Sequence, residues 1–132
     1  MTTHRYGFGI ETQLSLDEAE ARMRSALADE GFGILTEIDV AATLKNKLDV
    51  SVPPYRILGA CNPQLAHEAL KAEQSIGLLL PCNVIIYETD DGSVIEVLEP
   101  NLMAELTSNN DLGELAKNAR SRLERALATV AG

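Results

Sequence analysis

Apolar and polar positions alternate in two stretches near the start of the chain, and a segment of helical period separates them. Residues 6–13 and 32–40 place every second side chain on the same face, which is typical of half-buried strands. The segment between them is apolar at steps of three and four residues, at Leu16, Ala19, Met23, Ala26 and Leu27. Ser15 precedes this helix as a cap, and Gly31 follows it where a left-handed residue ends a helix. The opening third of the chain therefore predicts a β-α-β unit.

The middle of the chain predicts two shorter helices around a third strand. Residues 41–48 form a short amphipathic helix, and residues 55–61 follow the rigid Pro53-Pro54 pair as a strand. Asn62 and Pro63 then begin a helix that extends to about residue 73, because asparagine caps free amides and proline suits the first turn.

The last strands and a long helix complete the predicted fold. Residues 78–87 are almost continuously apolar, a pattern typical of a strand covered on both faces at a domain centre or a subunit interface. A turn at residues 90–93 pairs this strand with residues 94–98, and an amphipathic helix follows over about residues 111–130. The pattern predicts a single α+β domain over residues 1–132, with about five strands in one sheet, two long helices and two short ones.

Composition and charge argue against some classes of partner, but they identify no reaction. The 132 residues are 45% hydrophobic, which is enough for one core, and their formal net charge is −9. An acidic surface repels phosphate, so nucleic acids and anionic membranes are poor candidate partners. The first five residues lack the apolar core of a signal peptide, and residues 76–87 are too short to span a membrane. We therefore expect a cytoplasmic protein.

The common cofactor-binding motifs are missing. Cys61 and Cys82 form no Cys-x-x-Cys pair, and the two histidines show no ligand spacing. Gly7-Phe8-Gly9 matches neither the dinucleotide fingerprint nor the P-loop. The sequence therefore identifies no cofactor.

The most specific local feature is the piece Leu-x-x-Cys-Asn, which occurs twice and ends at Asn62 and at Asn83. Cys61 lies at the entrance of the helix that Asn62 begins, where free amides and the helix dipole should lower the pKa of its thiol. Cys82 lies in an apolar stretch that should keep its thiol neutral. The pair predicts one reactive and one inert thiol. The alternative is that both cysteines are small core residues.

A second candidate set lies on the second predicted strand and on the helix after it. Glu37 and Asp39 project from the face opposite Ile34 and Ile38, and Lys45 follows one short helix later. Two carboxylates beside a lysine could bind a polar ligand or move a proton. The alternative is that Asp39 caps the helix while Glu37 faces water.

Four segments together resemble the bacterial and archaeal domain of unknown function 302. They are GFGILTEIDV at residues 31–40, T-x-K-x-KL at 43–48, Y-x-ILGACNP at 55–63 and IGLLLPCNV at 76–84. The likeness covers about residues 6–98, and the final helix carries no diagnostic motif. The resemblance implies a small α+β domain that forms a homodimer, and it supplies no substrate, cofactor or catalytic residue.

Three functions remain open. The first is a cytoplasmic homodimer that binds a small polar ligand or a soft metal ion, with the candidate residues Glu37, Asp39, Lys45, Cys61, Asn62, Cys82 and Asn83. The second is a thiol-dependent enzyme or redox protein with Cys61 as nucleophile, for which the sequence offers no general base. The third is a structural dimer whose motifs only shape the backbone. Polar residues inside apolar segments favour the first, because their burial costs free energy unless a partner satisfies them.

Overall fold

A computed structural model describes residues 1–132 as one antiparallel sheet with two long helices packed against one of its faces. The strands are β1 (Thr2–His4), β2 (Gly7–Thr12), β3 (Gly33–Asp39), β4 (Tyr55–Cys61), β5 (Cys82–Thr89) and β6 (Gly92–Leu98). The α-helices are α1 (Leu16–Asp29), α2 (Val40–Leu48), α3 (Pro63–Ala72), α4 (Asn101–Thr107) and α5 (Gly113–Ala131), and 3₁₀ helices occupy Gln74–Leu79 and Asn110–Leu112. The strand order is β1-β2-β6-β5-β4-β3. The predicted α+β class and the β-α-β opening are confirmed.

Capping chemistry fixes the ends of the helices as the sequence predicts. The Ser15 side chain accepts a hydrogen bond from the Glu18 amide at 3.2 Å and begins α1. Asn62 Oδ1 accepts one from the Leu65 amide at 3.2 Å and begins α3. Gly31, with φ of 86°, follows α1 in the left-handed conformation that glycine adopts without strain.

The main hydrophobic core lies between one face of the sheet and the helices α1 and α5. The buried strand residues on this covered face are Phe8, Ile10, Leu58, Ala60, Val84, Ile86, Ile95 and Val97. A smaller second core joins α3, the first 3₁₀ helix, α4 and the second 3₁₀ helix through Ala69, Ile76, Met103 and Leu112. Burial of these side chains from water drives the packing of the helices on the covered face.

The sheet has six strands rather than about five. The additional strand, β1, pairs with β2 at the sheet edge, and all three of its residues are exposed. A strand of three polar, solvent-exposed residues has no hydrophobic alternation, which is the signal on which strand prediction depends.

The apolar run over residues 78–87 is only partly a strand, so this prediction was wrong at its start. Residues Gln74–Leu79 form a 3₁₀ helix that buries Ile76 in the second core, whereas Leu78 is 89% exposed. The Leu80-Pro81 peptide bond is cis, and β5 begins at Cys82. Periodicity alone does not distinguish a buried strand from another buried segment in a continuous apolar run.

Within a single chain this strand is covered on one face only, so the expectation of a domain centre is wrong and that of a subunit interface stays a prediction. Cys82, Val84 and Ile86 are buried on the covered face, whereas Asn83, on the other face, is exposed. Ile85 and Tyr87 lie beside Asn83 on that other face and are half-buried. We call this second side of the sheet the open face.

A bulge in β3 reverses the predicted orientation of two candidate site residues. The register with β4 shifts between Ile34 and Thr36, so Ile34 and Glu37 point to the same side of the sheet. Asp39 pairs with Arg56 and also lies on that covered side, while Ile38 lies on the open face. Glu37 and Asp39 therefore do not oppose Ile34, because the extra residue at the bulge interrupts the alternation.

Candidate functional site

A cleft of ≈ 500 Å³ lies in the open face of the sheet. Its polar lining consists of His4, Tyr6, Tyr55, Asn83, Tyr87 and Glu96. Ile85 and Leu98 supply the apolar part of its surface. A mostly apolar concave site with a few polar groups is the usual form of a small-molecule site, and this volume is within the usual range.

All three tyrosines of the chain line this cleft. Tyr55 and Tyr87 are direct partners across the β4–β5 ladder, and their rings are nearly parallel with centroids 5.5 Å apart. Tyr6 comes from the turn between β1 and β2, and its ring lies 4.3 Å from that of His4. Three sequence-distant segments thus bring aromatic rings to one place.

A histidine and a carboxylate meet at the edge of the cleft. His4 Nε2 lies 2.9 Å from Glu96 Oε2. His4 is the last residue of β1, whereas Glu96 is central in β6, opposite Gly9 on one side and Ile85 on the other. The two side chains meet across β2, which separates β1 from β6 in the sheet.

The two glycines of Gly7-Phe8-Gly9 make this contact possible. A Cβ atom on Gly9 would lie 2.0 Å from the Ile95 carbonyl oxygen and 2.8 Å from Glu96 Cγ. A Cβ atom on Gly7 would lie 2.9 Å from His4 Cε1. Because any side chain at either position would collide with these atoms, the paired glycines leave the space above β2 in which His4 and Glu96 meet.

Burial and a nearby carboxylate raise the pKa of two phenols of the cleft. Burial raises the pKa of Tyr55, and the nearby negative charge of Glu96 raises it further. The pKa of Tyr87 is raised for the same two reasons, in the same order. Both hydroxyls are therefore protonated at neutral pH and can donate hydrogen bonds to a ligand.

The two cysteines lie elsewhere, beside a much smaller cavity on the covered face. Cys61, Asn62 and Cys82 line a cavity of ≈ 30 Å³ whose other walls are apolar, including Phe32 and Leu65. This volume is enough for about one or two water molecules. The structure therefore brings these three residues together, but the space that they share is too small for an organic ligand.

Neither thiol is activated. Burial raises the pKa of Cys61, although the sequence predicts a lowered one, because the half-buried sulfur loses hydration at the helix entrance. Burial, with a smaller contribution from Cys61, raises the pKa of Cys82 to about 11. Both thiols are thus protonated at neutral pH, whereas the nucleophile in cysteine chemistry is the thiolate.

Comparison with known proteins identifies the family of this chain. The model of the family described as domain of unknown function DUF302 matches residues 8–130. The chain belongs to this family. A crystal structure of an uncharacterized conserved DUF302 protein from Bacillus stearothermophilus is similar over 96% of this chain and 98% of that one, with 26% identity and a TM-score of 0.88. No curated protein matches the sequence.

The remaining predicted site residues of this DUF302 chain lie away from the cysteines. Glu37 forms an ion pair with Arg24 at the β3 edge of the sheet. Asp39 Oδ1 accepts a hydrogen bond from the Ala42 amide at 2.9 Å and caps α2, as one of the two interpretations predicts. Lys45 Nζ is 2.7 Å from Asp49 Oδ1 at the exposed end of α2. These three side chains are therefore engaged locally, and none lines the cleft or the cysteine cavity.

Asn83 is the one predicted site residue that lines the cleft. Sequence reasoning missed the five other polar residues of this DUF302 site, which are His4, Tyr6, Tyr55, Tyr87 and Glu96. One signal was available, because the only three tyrosines of the chain lie in or beside predicted strands. Their convergence depends on strand order, which local patterns do not reveal.

The structure contains neither a cluster of metal-ligating side chains nor a helix suited to cross a membrane. No group of three or more histidine, cysteine, aspartate or glutamate side chains is arranged to hold a metal ion. No helix combines the length and the apolar character that crossing a bilayer requires.

Proposed function

We propose that this protein binds a small organic molecule in the cleft of the open face. The observation that carries the proposal is the convergence of all three tyrosines, Asn83 and the His4–Glu96 pair on one cavity of ≈ 500 Å³. Tyr55, Tyr87 and Glu96 are half-buried there, and polar groups that are partly removed from water gain free energy from a binding partner. The proposal keeps the predicted ligand-binding function and moves its site from the cysteines to the tyrosines.

A comparison of the two cavities supports this location. The cysteine cavity is smaller by more than a factor of ten and is almost entirely apolar. A small polar ligand would find one polar neighbour there, Asn62, whose Oδ1 is already engaged as a helix cap. The cleft instead offers phenol hydroxyls, an amide and a carboxylate around apolar side chains, which is the composition expected of a specific site.

The alternative of a thiol-dependent enzyme has no comparable support. It requires a thiolate at Cys61, and burial raises the pKa of that thiol. We also propose that the protein is cytoplasmic. Two free thiols agree with this location, because the cytoplasm is reducing.

Filling the cleft tests the proposal. Ile85→Trp adds a large side chain inside the cleft, whereas Leu106→Trp adds the same side chain at an exposed position of α4 outside it. We expect a library of small organic molecules, screened by amide chemical-shift changes, to shift the resonances of Tyr55, Asn83 and Tyr87. Those shifts should disappear in Ile85→Trp and persist in Leu106→Trp. Absence of any binder in the wild-type cleft would contradict the proposal.

A homodimer is the second candidate, and a separate observation favours it. No side chain from residue 33 to residue 57 is buried, although the segment forms β3, α2 and the start of β4. Within it Leu35, Ile38 and Leu48 are 67%, 48% and 66% exposed. Apolar side chains on an ordered but uncovered segment are typical of a protein–protein interface. We propose that a second copy of the chain packs against this segment, as the family resemblance implies.

Light scattering tests the dimer. We expect about twice the chain mass of 14.3 kDa at micromolar concentration. Ile38→Arg should reduce the mass to that of one chain, because a charge would be buried in the interface. Leu106→Arg, at an exposed leucine of α4 outside this segment, is the control and should leave the dimer intact. A monomeric wild-type protein would exclude this candidate.

A further inference from the structure

We infer that the ligand of the cleft is an organic cation, with an ammonium group beside Glu96 and a compact apolar body against the tyrosines. The inference rests on the proposed function and adds the chemical class of the ligand. It follows from the charge, the aromatic content and the apolar surface of the cleft, and each of these is a separate observation.

The charge of the cleft comes from one carboxylate. Glu96 is its only acidic side chain, and neither lysine nor arginine lines it. The contact with His4 uses Oε2, so Oε1 remains for a ligand. The Glu96 side chain is 20% exposed, and at that exposure water screens its charge less than at a free surface. A cation placed beside Oε1 gains attraction, whereas an anion placed there is repelled.

The aromatic residues select the same sign of charge. A tyrosine ring carries negative charge on its face, and cations within about 6 Å of a ring centroid are attracted to it. Three such rings surround the cleft, and none has a lysine or arginine of this chain stacked on it. The cation–aromatic contact that the structure does contain pairs Arg120 with Phe8, which belongs to the core.

The titration behaviour of the phenols agrees with a negative field in the cleft. Besides burial, the charge of Glu96 raises the pKa of both Tyr55 and Tyr87, and Glu11 contributes at Tyr87. A field that opposes the loss of a proton from these phenols also favours an added cation. The net charge of −9 on the whole chain extends this preference to longer range, because it attracts cations toward the protein.

The apolar surface sets the other requirement on the ligand. Ile85 and Leu98 lie in the cleft together with the tyrosine rings. An inorganic cation would leave this surface in contact with water, whereas an ammonium ion on a hydrocarbon body covers it. The cleft therefore fits an amine with an aromatic or branched aliphatic body.

Three probes of similar shape test how the charge of a ligand affects its affinity for the cleft. Benzylammonium, benzyl alcohol and benzoate share a phenyl ring and differ in the group attached to it. That group is positively charged, neutral and negatively charged, respectively. We expect amide chemical-shift titrations at neutral pH to give the tightest binding for benzylammonium, by about tenfold over benzyl alcohol. Benzoate should bind more weakly than the alcohol.

A charge-removing variant identifies the group responsible. Glu96→Gln keeps the shape of the side chain and should reduce the preference for benzylammonium over benzyl alcohol to within about twofold. Glu105→Gln removes the same charge from an exposed position on α4 that does not line the cleft, and should retain the tenfold preference. Unchanged amide spectra outside the cleft confirm that each variant is folded.

The outcomes distinguish this inference from the proposed function. If all three probes bind in the cleft with equal affinity, the inference of a cationic ligand is wrong, but the proposed binding site is supported. If Glu96→Gln retains the tenfold preference, the role of the carboxylate is wrong. If no probe shifts the resonances of the cleft, and the wider screen also finds no binder, both proposals are overturned.

Discussion

The covered face of the sheet places two cysteines beside a cavity of ≈ 30 Å³, whereas the open face places three tyrosines around a cleft of ≈ 500 Å³. Strand β5 contributes to both, because Cys82 points to the covered face and its neighbour Asn83 to the open one. The Cys-Asn pair, contiguous in the sequence, is therefore divided between two environments. The comparison shows that neighbouring residues of a strand motif point to opposite faces of the sheet. Each of them therefore acts together with the cross-strand residues on its own face.

Truncation of neighbouring isoleucines of β5 should show the largest contrast between the two faces. Ile86 is fully buried on the covered face, so Ile86→Ala should lower the free energy of unfolding by about 2–5 kcal/mol. Ile85→Ala, on the half-buried open side, should cost about 1 kcal/mol because less surface leaves water. Urea denaturation measures both. Equal losses would show that the open face is as well covered in solution as the other.

High pH should destabilise the covered face through Cys82. Burial raises the pKa of this thiol from 9.0 to about 11, so the folded state holds its proton more tightly than the unfolded chain. The resulting stability is complete below pH 9 and is lost as the pH rises toward 11. At pH 10 the loss should be about 1.4 kcal/mol.

Cys82→Ala supplies the reference for this measurement, since tyrosines and lysines also titrate at high pH. The difference in unfolding free energy between wild type and Cys82→Ala should shrink between pH 8 and pH 10. A constant difference would show that the thiol is hydrated and titrates normally.

Two helix caps offer a smaller contrast. Asn62→Ala should cost about 1 kcal/mol, because Asn62 is buried and α3 packs in the second core. Asp39→Ala removes an equivalent bond from α2 but should cost only a few tenths of a kcal/mol in global unfolding, since α2 buries no side chain. Thermal and urea unfolding of both variants check the order. A reversed order would mean that α2 contributes to the cooperative core.

Lys45→Ala should have the smallest effect. Its ion pair with Asp49 is exposed, so the unfolding free energy should change by less than about 0.5 kcal/mol. Binding of benzylammonium should be unchanged, because Lys45 does not line the cleft. A loss of binding would show that Lys45 contributes to ligand binding, as the sequence predicts.

Local patterns predicted most of the fold but little of the cleft. Helical period and caps located α1 and α3, because these signals act between residues close in the sequence. The β3 bulge gave no such signal, and it turned Glu37 and Asp39 toward the covered side. His4 and Glu96, which meet in the cleft, are 92 positions apart and come together only through the strand order. Side chains that depend on long-range pairing were therefore the ones missed.

The segment from residue 33 to residue 57, which buries no side chain, also sets the order in which the protein opens. Its β3 edge is attached by the main-chain ladder between β3 and β4, by the ion pair from Glu37 to Arg24 and by the half-buried Ile34, which packs against the main core. Breaking that ladder exposes little core surface beyond Ile34, so it should require less free energy than global unfolding. In hydrogen–deuterium exchange, the amides of α2 should therefore lose protection first, while those of β5 and β6 exchange only through global unfolding. We therefore expect the chain to unfold as one cooperative unit from which this segment opens separately.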